Sequence, residues 1–263
     1  MSDISQALPA ASKVPEVRDM EMGDIAYALK AGWQDFRRKP MMGLFFAHIY
    51  VIGGWLLYIL FFVTEQIWLS LPITVGFPLI APFLAVGLYE VSRRLEQRET
   101  DFRRNDIFGV VWRQRLRQLP LMSWVIIVYF LFWSFFAHML FALFMGPSVL
   151  MNVSSSYAYL LQPEGLVMLL VGTAFGAAFA FVLFCLTAIS LPLLLDKELD
   201  FVTAMLTSIA VVKRNPKVMI AWGLTISVLT FAAMIPALLG LFIALPVLGH
   251  ASWHIYRRAL DHG

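Results

Sequence analysis

The stretch DFVTAMLTSIAVVKRNPKVMIAWGLTISVLTFAAMIPALLGLFIALPVLGHASWHIYRR, residues 200–258, decides how the chain is read. Asp200 can cap a helix, because its carboxylate accepts from the backbone N–H groups that lack partners in a first turn. Phe201, Met205, Ile209 and Val212 follow at helical spacing, and Lys213, Arg214 and Pro216 end the segment. From Val218 to Tyr256 there is no charged side chain, and Arg257 and Arg258 close the run. One membrane crossing takes roughly 20 apolar residues, so this run is long enough for two short crossings. The reversal between them falls near Pro236 to Gly240. An amphipathic helix, a basic turn and an apolar hairpin thus make one unit.

The whole chain has the composition such a unit requires. Of its 263 residues 60% are apolar and 14% charged, against about 45–50% and about 25% in soluble domains. Lipid is therefore the solvent for much of the chain. The apolar runs lack the alternation of a membrane barrel, so the expected class is all-α. A net charge of +3 and a pI near 9.1 do not indicate a nucleic-acid partner. The positive residues stand beside the apolar runs, where they set topology and meet anionic headgroups. The membrane lipids are thus the expected partners of a basic cytosolic face. Cys185 is the only cysteine, which excludes a disulfide framework and a cysteine metal site within one chain. Residues 1–23 are polar, with two prolines and no apolar core. They read as a disordered cytosolic tail rather than a signal peptide.

Two further units precede the one at 200–258. In the first, Asp24 is the candidate cap, with Ile25, Leu29, Trp33 and Phe36 on one helical face, and Arg37, Arg38, Lys39 and Pro40 ending the segment. This segment is too short and polar to span, so it is expected in the cytosolic headgroup layer. Met41 to Val63 is a first span, Thr64 to Leu71 an outer loop, and Pro72 to Val91 a second span containing Pro78 and Pro82; Arg93, Arg94 and Arg98 mark the return. In the second unit Asp106 is the candidate cap, and Ile107, Val111 and Leu116 the buried face. Arg113, Arg115 and Arg117 precede Pro120, and Leu121 to Met145 is the third span. A longer outer loop, Gly146 to Glu164, carries Tyr157 and Tyr159; the fourth span, Gly165 to Leu191, is rich in small residues and closed by Pro192 and Asp196.

The expectation is one domain, residues 24–260, with six spans as three hairpins, each preceded by a cytosolic amphipathic helix. All 20 Lys and Arg then lie on one side, which the positive-inside rule makes cytosolic. The protein is expected in the bacterial inner (cytoplasmic) membrane with both termini in the cytosol. Asp24 to Pro40 and Asp200 to Pro216 have the same 16-residue spacing, while Asp106 to Pro120 is 14. Pro82 is followed 11 and 12 residues later by Arg93 and Arg94, and Pro246 by Arg257 and Arg258 at the same distances. These spacings suggest parallel pseudo-repeats over about 24–98, 100–196 and 200–258. The other reading is that basic entries and prolines recur in any such hairpin.

Chemistry-bearing residues are few. His250 and His254 are four apart on one helical face, and His48 enters its span at a similar depth. Three imidazoles there could hold a metal ion or haem; hydrogen bonding between helices or to headgroups is the plainer role. His138 is nearer the outer face. Glu90 reads as the ion-pair partner of Arg93 and Arg94, with proton relay as the other reading. Asp196, Glu198 and Asp200 form a weak carboxylate cluster after the fourth span. No nucleophile elbow, phosphate loop, zinc-protease helix or dinucleotide fingerprint is present. No enzymatic activity, resident metal or cofactor is expected.

Three stretches, LPLLLDKELDFVTAMLTSIAVVKRNPKVMIAWG, LPVLGHASWHIYRRAL and WQDFRRKPMMGLFFAHIYVIGGW, resemble a family of uncharacterised bacterial integral membrane proteins known only as a domain of unknown function. The resemblance covers roughly residues 24–260. Some members are labelled as cytochrome c oxidase components, which implies respiratory-complex subunits as partners. An oxidase core needs six histidines for two haems and copper; this chain has five. The expected role is therefore a non-enzymatic accessory, assembly or scaffold protein, and the resemblance implies a place beside a respiratory complex such as a terminal oxidase. A transporter or lipid-handling protein is the alternative, and a redox protein on His48, His250 and His254 the second alternative.

Overall fold

The computed structural model describes residues 13–63, 67–99, 101–145 and 162–262. The described residues are helical, with no strand beyond an isolated bridge. In chain order the helices are α1 (Met22–Arg38), α2 (Pro40–Phe62), α3 (Ile67–Glu96), α4 (Arg104–Gln114) and α5 (Leu119–Met145). After these come α6 (Pro163–Thr187), α7 (Ser190–Asp196), α8 (Phe201–Arg214), α9 (Pro216–Met234) and α10 (Leu241–Ala259). Among the described residues four helical stretches are long and apolar enough to cross a membrane: Pro40–Leu60, Leu119–Phe144, Pro163–Asp196 and Pro216–Met234.

Proline sets several helix starts. Pro40, Pro163 and Pro216 stand at the first helical position of α2, α6 and α9, where a missing N–H costs no hydrogen bond. Pro120 lies in the first turn of α5, whereas Pro82 and Pro246 are inside α3 and α10. Asp200 is the N-cap of α8, with Oδ1 accepting from Thr203 N at 2.9 Å. Asp24 and Asp106 work from inside the first turn. Their carboxylates accept from the N-cap backbone, Glu21 N at 2.8 Å and Arg103 N at 2.7 Å. That is one half of a capping box, so these helices start earlier than a capping aspartate implies.

The helix boundaries differ from expectation in three places. α3 begins at Ile67, inside the stretch read as an outer loop. The rest of that loop, and most of the loop at 146–164, lie outside the described residues. Pro192 does not end the fourth span but sits in α7, after a break at Ala188–Ile189. Pro192 has no N–H for the carbonyl of Ala188, and Ile189 N turns to Ser208 Oγ at 3.2 Å. α4 ends at Gln114, and the turn that follows carries Leu116 outward, leaving it exposed; Ile107, Val110 and Gln114 are buried instead.

The short helices α1, α4 and α8 pack against the long ones. α1 lies across α10, α4 against α3, and α8 against α6 and α7. α10 also meets α2 and α3, and α5 bridges α3 and α6. On α1 and α8 the contact is made by small residues. Ala28 and Gly32 are buried on α1 while Trp33 is exposed; Ala204, Thr207 and Ser208 are buried on α8. Of the large residues expected on these faces, Ile25, Phe36 and Val212 are buried beside the small ones and Trp33 is exposed; close crossing of helix axes favours short side chains at the contact. Beyond the crossings, Trp222, Trp253, Tyr256, Met122 and Leu193 fill one core, and Phe46, Leu84, Leu88 and Ile107 another.

The folded part begins at least eleven residues before Asp24. Residues 13–21 are not a free tail: Val17 bridges Leu260, Arg18 N donates to Ala259 O at 2.9 Å, and Asp261 N donates to Glu16 O at 2.8 Å. Asn215 clamps the same segment, accepting from Met20 N at 2.8 Å and donating to Arg18 O at 2.9 Å. The polar composition that suggests disorder is used for backbone pairing with the end of the chain. Residues 1–12 are outside the described residues.

Candidate functional site at the junction of α1, α3 and α10

Gly32 permits the junction. A Cβ at this position would lie 2.6 Å from Val247 O and 2.7 Å from Ala251 N, so only glycine allows α1 to approach the α10 backbone this closely. One turn further along α1, buried Asp35 meets His254 Nε2 at 2.8 Å. The first turn of α1 is tied to the last turn of α10 by Arg258, whose Nε donates to Asp24 Oδ1 at 2.7 Å and whose guanidinium lies 5.2 Å from the Tyr27 ring centre. From α3, Glu96 accepts from Trp253 Nε1 at 3.0 Å and from Arg257 Nε at 2.9 Å. Between these groups lies a cleft of about 370 Å³, lined also by Gln34 and Arg38.

Deeper in the junction, His250 is fully buried and shares a 2.8 Å hydrogen bond between Nδ1 and Ser92 Oγ. Its Nε2 has no hydrogen-bond partner among the described residues. A bare acceptor costs less than a bare N–H, which favours the tautomer with hydrogen on Nδ1. Glu90, also fully buried, is bound by Arg93 and Arg94 of its own helix, each at 2.7 Å. That is the ion-pair arrangement its position suggests, and it spends both carboxylate oxygens.

The three candidate imidazoles belong to separate surroundings. His254 faces Asp35, His250 faces Ser92, and His48 is exposed beside Phe242 with ring centres 5.9 Å apart. Phe242 precedes His250 by two helical turns, about 12 Å along the axis. His138 is turned to its own helix, with Nδ1 2.7 Å from Ser134 O. Among the described residues no group of three His, Cys, Asp or Glu is placed to hold a metal ion. The carboxylates at and after the end of α7 also diverge: Asp196 accepts from Tyr256 at 2.7 Å, Glu198 pairs with Arg117, and Asp200 caps α8.

Sequence reading missed Asp35, Ser92, Glu96 and Asn215. Asp35 follows Gly32 by three residues and shares the buried face that Ala28 and Gly32 mark out, whereas the apolar spacing draws attention to Ile25, Leu29, Trp33 and Phe36. Asn215, before Pro216, carries no signal of a bond to a segment 195 residues away.

The arrangement fixes three helices to one another. Its carboxylates are committed largely to the neighbouring arginines, His254 and Trp253. No curated protein and no solved structure matches the chain. Residues 70–196, just under half of the chain, match a family model described as a predicted integral membrane protein. The match takes in Glu90, Ser92, Arg93, Arg94 and Glu96 of the junction but neither α1 nor α10. Over these residues the chain is similar to DUF2189, a family of predicted integral membrane proteins.

Proposed function

We propose that this integral membrane protein is a non-enzymatic accessory or scaffold protein of the bacterial inner membrane. Both termini are in the cytosol, and six spans form three hairpins. The observation that carries the reading is the filled, cross-tied interior where α2, α3 and α10 meet. Gly43 is closed over by Pro246 and Phe36, Gly87 by the Phe46 ring, and Gly249 by Leu88. A transported solute needs a path between helices, and packing of this kind leaves rigid elements instead.

The helix contacts support the threefold repeat. Each amphipathic helix packs on the second helix of the unit before it: α4 on α3, α8 on α6 and α7, and α1 on α10, which closes the cycle. α3 and α10 are then the second and sixth spans, with Arg93, Arg94, Arg257 and Arg258 at their cytosolic ends. The partners of such a scaffold are membrane proteins, with respiratory-complex subunits the class that the family resemblance indicates.

A second reading, lipid handling, is favoured by one feature. A groove of about 350 Å³ runs along α2 beside Leu239 and Phe242, apolar except for His48. Purification from native membranes in mild detergent separates the readings. The scaffold reading expects a colourless protein with stoichiometric membrane subunits. A protein that arrives alone with bound lipid would move the assignment to lipid handling. A haem band lost in His250→Ala would assign a redox role.

A further inference from the structure

We infer that the cleft between α1 and the C-terminal ends of α3 and α10 binds a phosphate ester, gripped by Arg38 together with Arg257 and Arg258. The formal charges around the cleft balance: three guanidiniums stand against Asp24, Asp35 and Glu96. The hydrogen bonds do not balance. Both oxygens of Glu96 are taken, by Arg257 Nε and Trp253 Nε1. Both oxygens of Asp24 are taken, by Arg258 and by Glu21 N. Asp35 gives Oδ2 to His254, and Oδ1 is the one carboxylate oxygen left over.

The donors are far from used up. A guanidinium carries five N–H groups in a planar fork. Arg38 forms no hydrogen bond or ion pair among the described residues, Arg257 uses only Nε, and Arg258 uses Nε and one Nη. Arg38 nevertheless lines the same cleft as the other two, and Gln34 adds an amide at its wall. A phosphate offers several acceptor oxygens to such forks and binds them bidentately. A carboxylate would satisfy one fork and leave the rest.

The ligand could be the headgroup of a membrane lipid or a soluble phosphate ester, since the recognised chemistry is the same. The position favours a headgroup. Trp33 and Met22 are exposed on α1 near Lys30 and Arg37, the pattern of a helix at the lipid–water boundary. The competing explanation is that these arginines only compensate the negative ends of the α1 and α10 helix dipoles. In that case no ligand is needed and Arg38 is dispensable.

The test uses the full chain, stripped of lipid in a maltoside detergent and titrated under native mass spectrometry. The probes are phosphatidylglycerol, diacylglycerol with the same acyl chains, and inorganic phosphate. Saturable one-to-one binding of phosphatidylglycerol, absent for diacylglycerol, is expected. Arg38→Gln should weaken it by about tenfold or more; Arg38 has no partner to lose, so the variant should fold. Arg38→Lys keeps the charge without the fork and should also weaken it, whereas Lys30→Gln, outside the cleft, should not. Binding of inorganic phosphate alone, with the same loss in Arg38→Gln, would uphold the site and assign a soluble ester. Equal binding by wild type and Arg38→Gln, or an equal loss in Lys30→Gln, would overturn the proposal.

Discussion

Replacing Gly32 by alanine should loosen α1 from α10 although alanine is the better helix former. The new Cβ would stand 2.6 Å from Val247 O and 2.7 Å from Ala251 N. Carbon–oxygen contacts in proteins settle at about 3.3–3.6 Å, so α1 must retreat by roughly 0.7 Å or more. Both obstacles are backbone atoms of a packed helix and cannot swing aside. A retreat of that size takes the 2.8 Å contact between Asp35 and His254 beyond hydrogen-bond range. Overpacking costs about 1–3 kcal/mol, and the lost bond adds about 1 kcal/mol. The intrinsic gain from replacing a helical glycine offsets about 0.5–1 kcal/mol. The net loss is about 1–3 kcal/mol, a fall of several degrees in Tm at roughly 2–4 °C per kcal/mol. Gly23, in the same helix, has nothing within 4 Å of an added Cβ, so Gly23→Ala is the matched control and should not lower Tm. The assay is thermal unfolding of both variants in the same detergent, followed by tryptophan fluorescence. A Gly32→Ala protein as stable as Gly23→Ala would refute the close crossing.

Other perturbations test the same frame. Asn215→Ala leaves Met20 N and Arg18 O without their side-chain partner; a cost of about 1–3 kcal/mol is expected, with faster amide exchange confined to residues 13–21 and the end of the chain. Asp200→Ala removes the N-cap of α8 and should cost about 1 kcal/mol, read from thermal unfolding; Asp200→Asn should retain most of it. Asp19 is held below the ordinary carboxyl range by the hydrogen bond and charge of Arg214. The stabilisation it gives is present above the unfolded-state carboxyl pKa and is lost as pH falls through the lower folded value. Acidification below about pH 4 should therefore speed exchange near Arg18 and Met20, and Asp19→Asn should remove that dependence.

Much of the architecture was legible because periodicity and charge placement report on solvent. The all-helical class, the apolar helices that start at or beside Pro40, Pro120 and Pro216, and the turn near Pro236 to Gly240 follow from local pattern. That turn holds Ala237 and Leu238 at φ of 51° and 67°, fixed by Trp55 Nε1 donating to Ala237 O at 2.8 Å. What local pattern could not give was partner identity. Trp33 shares a helical face with Ile25, Leu29 and Phe36 by spacing, yet it is exposed, because the neighbour of α1 is a helix backbone that admits only glycine at position 32. The polar segment before Asp24 read as disordered because its partner, Leu260, is at the other end of the chain. The imidazoles of His48, His250 and His254 share a depth in sequence, but depth does not fix the side of a helix.

The measurement that bears most directly on the six-span account is cysteine labelling in vesicles of both orientations, in a Cys185→Ala background. Gly23, Asn105 and Val202, at the starts of α1, α4 and α8, and Leu239, in the turn between α9 and α10, are replaced singly by cysteine. The account predicts that an impermeant maleimide reaches the first three only from the cytosolic face and Leu239→Cys only from the opposite face. Labelling of Leu239→Cys from the cytosolic face, or a split among the first three, would contradict it.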